Sequence, residues 1–71
     1  MATVVTWEPI QGLWYVKTDG GEGEIRSFED KASAIQSACD MEKDKDEPDC
    51  VLVYKKNGSG IADNIPISKD D

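Results

Sequence analysis

Residues 30–43, D-K-A-S-A-I-Q-S-A-C-D-M-E-K, decide the fold, because they form the stretch of this chain with helical periodicity. Apolar residues recur there about one helical turn apart, at Ala34, Ile35, Ala38 and Met41. Asp30 can act as the N-cap, and the residues after it are good helix formers without glycine or proline. The pattern predicts a helix from Lys31 to about Lys43, ended by the acidic segment 44–49 that contains Pro48.

Strand-like segments lie on both sides of this predicted helix. Three precede it, at residues 3–7 (T-V-V-T-W), 13–18 (L-W-Y-V-K-T) and 24–28 (E-I-R-S-F), and two follow it, at residues 50–55 (C-V-L-V-Y-K) and 61–67. Glycine-rich turns separate them, and Pro66 confines the last one to an edge. The order β-β-β-α-β-β predicts an α+β domain in which a small antiparallel sheet of four to five strands packs one helix on one face.

The composition predicts one small, acidic domain spanning residues 1–71, because a chain of 71 residues can bury only one core. Eight basic and fifteen acidic residues give a net charge of −7, which disfavours direct binding to nucleic acid or to anionic membranes. The sequence shows neither a signal-peptide pattern nor a run near the roughly 18 apolar residues of a membrane span. We therefore expect a cytoplasmic protein without membrane attachment.

Catalytic and ligand-binding motifs are missing from the sequence. Without histidine, the chain lacks the commonest general base and metal ligand, and its glycine-rich turns lack the Lys-Ser/Thr of a phosphate loop. Asp44, Asp46 and Asp49 suggest a calcium loop, but the turn glycine and closing glutamate of an EF-hand are absent, which favours a solvated acidic connector. We expect no enzyme activity, no cofactor and no metal.

The two cysteines, Cys39 and Cys50, are too few for the disulfide framework of a secreted protein. We expect both to be thiols, with Cys39 in or near the core. A bridge between them is the alternative, because the sequence does not show whether their Cβ atoms meet the required geometry.

Two strand segments carry large apolar side chains on both faces, since side chains alternate along a strand. We assign to the helix side Trp14, Val16, Val51 and Val53. We assign to the outer side, as partner-binding residues, Leu13, Tyr15, Leu52 and Tyr54. One helix covers only one face, and an uncovered apolar face on a small protein marks an interface. Two alternatives stay open. The helix could cover the opposite face of the sheet, or the outer residues could be scattered surface apolar residues without a role.

The second candidate site is an acidic cluster at and beyond the end of the predicted helix. It comprises Asp40, Glu42, Asp44, Asp46, Glu47 and Asp49. Such a cluster can engage a basic protein surface, and spaced carboxylates can imitate a phosphate backbone, as in DNA-mimic inhibitors made by mobile elements. The alternative is that the cluster only keeps the domain soluble.

Three segments, G-L-W-Y-V-K (12–17), F-E-D-K-A-S-A-I-Q-S-A (28–38) and V-L-V-Y-K-K-N-G (51–58), resemble a small bacterial family known as domain of unknown function 2188. The resemblance spans about two-thirds of the chain. It implies a sheet of β-β-(β)-α-β-β order with one helix across it, and it implies no activity. The acidic segment 44–49 departs from the family pattern.

The sequence thus predicts a non-catalytic protein-interaction or regulatory domain that acts through its exposed sheet face, as a homodimer or a subunit of a complex. The alternative function is an acidic inhibitor of the DNA-mimic type that blocks a nucleic-acid-binding protein, in a bacterial or phage context.

Overall fold

The computed structural model describes residues 1–68, which form five strands and one α-helix. In chain order these are β1 (Thr3–Glu8), β2 (Leu13–Lys17), β3 (Ile25–Phe28), α1 (Lys31–Lys43), β4 (Cys50–Tyr54) and β5 (Ile61–Pro66), with a 3₁₀ turn at Asp19–Gly21. The predicted α+β class and element order are confirmed. The helix has the predicted bounds, and each strand differs from its prediction by one residue at one end.

The sheet is mixed, so the prediction of an antiparallel sheet is wrong for one of its pairings. The strand order is β3-β2-β1-β4-β5, and β1 pairs in parallel with β4, with residues 3–5 opposite residues 51–53. The other three pairings are antiparallel. The parallel pair arises because α1 carries the chain from the end of β3 back along the sheet. Strand β4 therefore enters beside β1 and runs in the same direction.

The core lies between α1 and one face of the sheet. Its buried residues are Val5, Trp14, Val16, Ala34, Ala38, Val51 and Val53. The four valines come from β1, β2 and β4 and are fully buried, and the two alanines allow α1 to lie close to the sheet because they add little volume. The predicted assignment of Trp14, Val16, Val51 and Val53 to the helix side is confirmed.

The α1 helix begins with the predicted cap. The Oδ2 atom of Asp30 accepts a hydrogen bond from the backbone N–H of Ser33 at 2.9 Å, as an N-cap side chain does. This bond holds the pKa of the Asp30 carboxyl below its usual value.

A search of residues 1–68 for a helix with the length and apolar character of a membrane span finds none.

The β4–β5 hairpin and its edge strand also follow the sequence prediction. Gly58 takes a φ of 73° in the turn, a conformation that favours glycine, and the N–H of Lys55 donates to the carbonyl oxygen of Gly60 at 2.9 Å. Strand β5 lies at one edge of the sheet, as Pro66 predicts. The register shifts between Val53 and Tyr54, so this edge also carries an irregularity.

Candidate functional site

The sheet face opposite α1 is the first candidate site, and we call it the outer face. Because side chains alternate along each strand, the residues next to the buried valines point away from the helix. On β1, β2 and β4 these are Val4, Thr6, Glu8, Leu13, Tyr15, Lys17, Cys50, Leu52 and Tyr54. In the register, Tyr15 lies opposite Thr6, and Val4 lies between Lys17 and Leu52. The structure thus brings the four predicted outer residues onto one face.

The outer face is largely apolar, and the described residues 1–68 contain no second α-helix to cover it. Leu13, Tyr15, Leu52 and Tyr54 are half-buried by their neighbours and form no part of the helix-side core. Val4, at the centre, is only 9% exposed, because Lys17 and Leu52 flank it in the register. Val4 and Leu52 are therefore direct neighbours, whereas Tyr15 lies opposite Thr6 and Leu13 lies opposite Glu8.

The outer face carries little charge. On β1, β2 and β4 its charged residues are Glu8 and Lys17, near opposite ends of the β1–β2 pair. Glu8 Oε2 accepts a hydrogen bond from the backbone N–H of Gln11 at 2.7 Å, within the hairpin turn. Lys17 Nζ lies 5.9 Å from the centroid of the Tyr15 ring, a cation–π contact. The middle of the face is thus free of carboxylates, although the whole chain has a net charge of −7.

The predicted acidic cluster has five exposed members and one buried member. Exposed members are Asp40, Asp44, Asp46, Glu47 and Asp49. Glu42, in contrast, is 0% exposed, so its prediction as a partner-binding residue is wrong. The physical reason is its position four residues after the buried Ala38, which places both on the same side of α1. The spacing from Ala38 is the sequence signal that could have identified Glu42 as buried.

Glu42 is the centre of a buried hydrogen-bond network. Its Oε2 accepts from Thr3 Oγ1 at 2.6 Å and from Lys45 Nζ at 2.7 Å, and its Oε1 accepts from the backbone N–H of Asp49 at 2.8 Å. Lys45 Nζ also lies 3.7 Å from Asp19 Oδ1. The network therefore joins the end of α1 to β1, to the 3₁₀ turn and to the segment that leads into β4.

The network keeps both of its charged groups ionised. Burial tends to raise the pKa of the Glu42 carboxyl, but the hydrogen bonds from Lys45, Thr3 and Asp49 outweigh burial and hold that pKa below its usual value. The hydrogen bond to Glu42 is the main reason that the pKa of the Lys45 ammonium is raised. A carboxylate that accepts three hydrogen bonds is suited to hold elements together, and it is not poised to move a proton at neutral pH.

The exposed carboxylates form no metal site with one another. Within residues 1–68, no three His, Cys, Asp or Glu side chains are grouped so that they could hold a metal ion. Asp49 Oδ1 instead accepts from the backbone N–H of Cys50 at 2.8 Å, and this hydrogen bond lowers the pKa of the Asp49 carboxyl. The acidic segment is thus partly engaged in fixing the entry into β4.

Both cysteines are free thiols, which excludes the bridge between Cys39 and Cys50. Burial raises the pKa of the Cys39 thiol, and Asp40 raises it further. Burial and then Asp49 raise the pKa of the Cys50 thiol. Because the thiolate is the reactive form, neither cysteine is activated as a nucleophile.

An open polar cleft of about 390 Å³ lies between α1 and the edge strand β3, and the sequence analysis missed it. Its lining residues are Arg26, Ser33, Gln36, Ser37, Asp40, Met41 and Asp44. Arg26 Nε donates to Glu24 Oε2 at 2.5 Å, and Gln36 Nε2 donates to Asp40 Oδ1 at 3.1 Å. The available signal was the helical spacing of Ser33 and Ser37, which places two small polar residues on one flank of α1.

Comparison with protein families, with curated proteins and with solved structures finds no match to this chain. The resemblance to domain of unknown function 2188 therefore stays a prediction.

Proposed function

We propose that this chain is a non-catalytic protein-interaction or regulatory domain, which works as a homodimer or as a subunit of a complex through its outer face. The observation that carries the proposal is the set of large apolar side chains Leu13, Tyr15, Leu52 and Tyr54, with Val4 beside Leu52, on a face without a covering helix in residues 1–68. An apolar face left open on a small protein is typical of an interface, because exposing it to water is unfavourable.

A second copy of the chain is the partner that the charges favour. Two chains of net charge −7 repel each other through most of their surfaces. The middle of the outer face has no carboxylate, so two outer faces can meet in a symmetric, isologous contact without that repulsion. A stable interface needs about 600 Å² from each partner, which is about a seventh of the 4439 Å² surface of this domain.

The oligomeric state of two matched double variants tests this proposal. Tyr15→Glu with Leu52→Glu adds two negative charges to the outer face, and Ala32→Glu with Gln36→Glu adds the same charge at exposed positions of α1, on the opposite side of the sheet. By sedimentation velocity or light scattering, we expect the wild type and the control pair at about twice the chain mass of 7.8 kDa. We expect the outer-face pair at the mass of a single chain, because two buried carboxylates on each side disfavour association.

Two results together would refute the proposal. The first is a wild-type protein that stays monomeric at millimolar concentration. The second is a partner pulldown from the native host that the outer-face pair leaves unchanged.

The non-catalytic part of the proposal is supported by the chemistry of the side chains. The chain has no histidine, both thiols have raised pKa values, and Glu42 is saturated by three hydrogen bonds. These are not the groups of a general base or a nucleophile. Two free cysteines suit a reducing compartment, so we propose the cytoplasm as the location.

The second candidate function is an acidic inhibitor of the DNA-mimic type, in a bacterial or phage context. It is supported by the exposure of five carboxylates, at Asp40, Asp44, Asp46, Glu47 and Asp49. Charge reversal by Asp44→Lys, Asp46→Lys and Glu47→Lys abolishes capture of a nucleic-acid-binding partner if this function holds. Unchanged capture of every partner by the triple variant eliminates it.

A further inference from the structure

We propose that the edge strand β3 is a second docking site, which takes an extended lysine- or arginine-bearing segment of another protein as a sixth strand of the sheet. The proposal is independent of the function proposed above, because it uses the backbone edge of β3 and the cleft beside α1, and not the outer-face residues of β1, β2 and β4.

The backbone of β3 points free hydrogen-bonding groups away from the sheet. The N–H of Thr18 donates to the carbonyl oxygen of Glu24 at 3.0 Å, and hydrogen-bonded pairs alternate along an antiparallel ladder. In the β2–β3 register, Arg26 therefore bonds to β2, while Ile25 and Ser27 direct their N–H and C=O groups outward. No other element within residues 1–68 pairs with β3 on that side, which makes it a template for an added strand.

The two edges of the sheet differ in their protection. At the opposite edge, β5 carries Pro66 and pairs with β4 through an irregular register, and both features discourage strand addition. Strand β3 has neither a proline nor a register shift. Its Ile25 is 56% exposed on the outer side, so an apolar side chain of an added strand can pack beside it.

The cleft beside α1 determines the chemistry of the added segment. Alternate side chains of a sixth strand point to the helix side, where the cleft opens next to Arg26. The charge of Arg26 is already matched by Glu24. Asp40 and Asp44 line the same cleft, both are exposed, and neither forms an ion pair with a basic side chain in residues 1–68. The cleft therefore favours a lysine or arginine at alternate positions, and the net charge of −7 attracts such a segment from a distance.

The same geometry disfavours a second copy of this chain at β3. Two β3 strands could pair antiparallel and symmetrically, with Ile25 of each copy bonded to Ser27 of the other. In that register the two Arg26 residues lie directly opposite each other. Such a pairing offers Asp40 and Asp44 no further basic side chain, because the charge of each Arg26 is already matched by Glu24. A foreign basic segment can instead place its charge toward Asp40 and Asp44.

The test uses three synthetic seven-residue peptides and the complete chain. The first peptide alternates valine or threonine with lysine, the second has glutamate in place of lysine, and the third is the lysine peptide with alternate backbone nitrogens methylated. Binding is followed by the amide NMR signals of the protein. We expect the lysine peptide to shift the Ile25 and Ser27 signals, and the other two to bind at least about tenfold more weakly, because they lose the charge match or the ladder bonds.

Protein variants make the test specific. Ser27→Pro removes an outward N–H without removing a bond to β2, so we expect about tenfold weaker binding of the lysine peptide. Asp40→Asn with Asp44→Asn is expected to weaken it about three- to tenfold, while the matched control Asp46→Asn with Glu47→Gln leaves it unchanged. The methylated peptide keeps the test decisive if Ser27→Pro fails to fold.

Several results overturn the proposal. If the lysine and methylated peptides bind equally well, binding does not occur by strand addition. If the lysine and glutamate peptides bind equally well, the site does not select a basic segment. Signal changes confined to the outer-face residues of β1, β2 and β4, or to residues 45–49, place the binding elsewhere. Self-association that Ser27→Pro abolishes assigns the β3 edge to a second copy. Leu52→Glu alone changes the outer face on β4, which β2 and β1 separate from β3. This variant is expected to weaken the outer-face dimer and to bind the lysine peptide like wild type, so failure of that dimer is distinguishable from failure of this site.

Discussion

Glu42→Gln removes the charge at the centre of the buried network while keeping the size of the side chain. The amide oxygen of glutamine can still accept from the Asp49 N–H, but the amide nitrogen faces Lys45 Nζ and Thr3 Oγ1 in place of the carboxylate oxygen. Hydrogen bonds to charged groups contribute about 1.5–3 kcal/mol each, and breaking a buried ion pair costs about 3–5 kcal/mol. Lys45 is partly exposed and keeps Asp19 nearby, which lowers the cost.

We therefore expect Glu42→Gln to lower the free energy of unfolding by about 2–4 kcal/mol. A domain of 71 residues has about 4–11 kcal/mol in total at 0.05–0.15 kcal/mol per residue, so the loss is a large fraction of its stability. Urea unfolding, followed by the fluorescence of Trp7 and Trp14, measures it. Glu47→Gln, an exposed glutamate of the same segment, is the control and is expected to change stability by less than about 0.5 kcal/mol.

The pH dependence gives the same experiment a second readout. The pKa of Glu42 is lower in the folded chain than its usual value of 4.5, so folding favours the carboxylate and its contribution is fully present above about pH 4.5. As the pH falls through the folded pKa, the contribution is lost. The stability difference between wild type and Glu42→Gln should therefore shrink below about pH 4.5. A variant within about 0.5 kcal/mol of wild type at pH 7 would show that the network does not stabilise the fold.

Two further predictions concern packing. Ala38→Leu places a large side chain where α1 meets the sheet, at a position that is 0% exposed. We therefore expect the free energy of unfolding, measured in urea, to fall by about 1–3 kcal/mol. The exposed control Ala32→Leu should stay near wild type, and equal stability of the two variants would contradict close packing of the helix. Gly23→Ala adds a Cβ that would lie 2.2 Å from Thr18 Oγ1 and 2.9 Å from Asp19 Oδ2. We therefore expect a thermal unfolding midpoint several degrees lower than that of the neighbouring Glu22→Ala control. Equal midpoints would mean that the turn between β2 and β3 adjusts to the added Cβ without cost.

Local signals in the sequence were sufficient to predict the positions of the elements. The Asp30 cap and the spacing of Ala34 and Ala38 predict α1 because both depend on residues within one or two turns of the same helix. Glycines and Pro66 mark the turns and the edge strand for a similar reason, since their backbone limits are intrinsic to the residue. The division of Trp14 and Val16 from Leu13 and Tyr15 follows from strand alternation alone.

Contacts between distant residues were decided only by the tertiary structure. The parallel pairing of β1 with β4 depends on the path of α1 across the sheet, which no local pattern records. The spacing from Ala38 places Glu42 on the buried side of α1, but its hydrogen-bond donors come from Thr3, 39 residues earlier in the chain, and from the segment before β4, which only the fold brings to it. The cleft beside β3 and the free backbone edge of Ile25 and Ser27 exist only once β3 lies at the end of the sheet.

The sequence by itself determined the elements and the faces of the strands, because these are short-range properties of the backbone and its side chains. The sheet order, the buried carboxylate and the β3 edge were decided by the tertiary structure, because each of them requires groups far apart in the chain to meet.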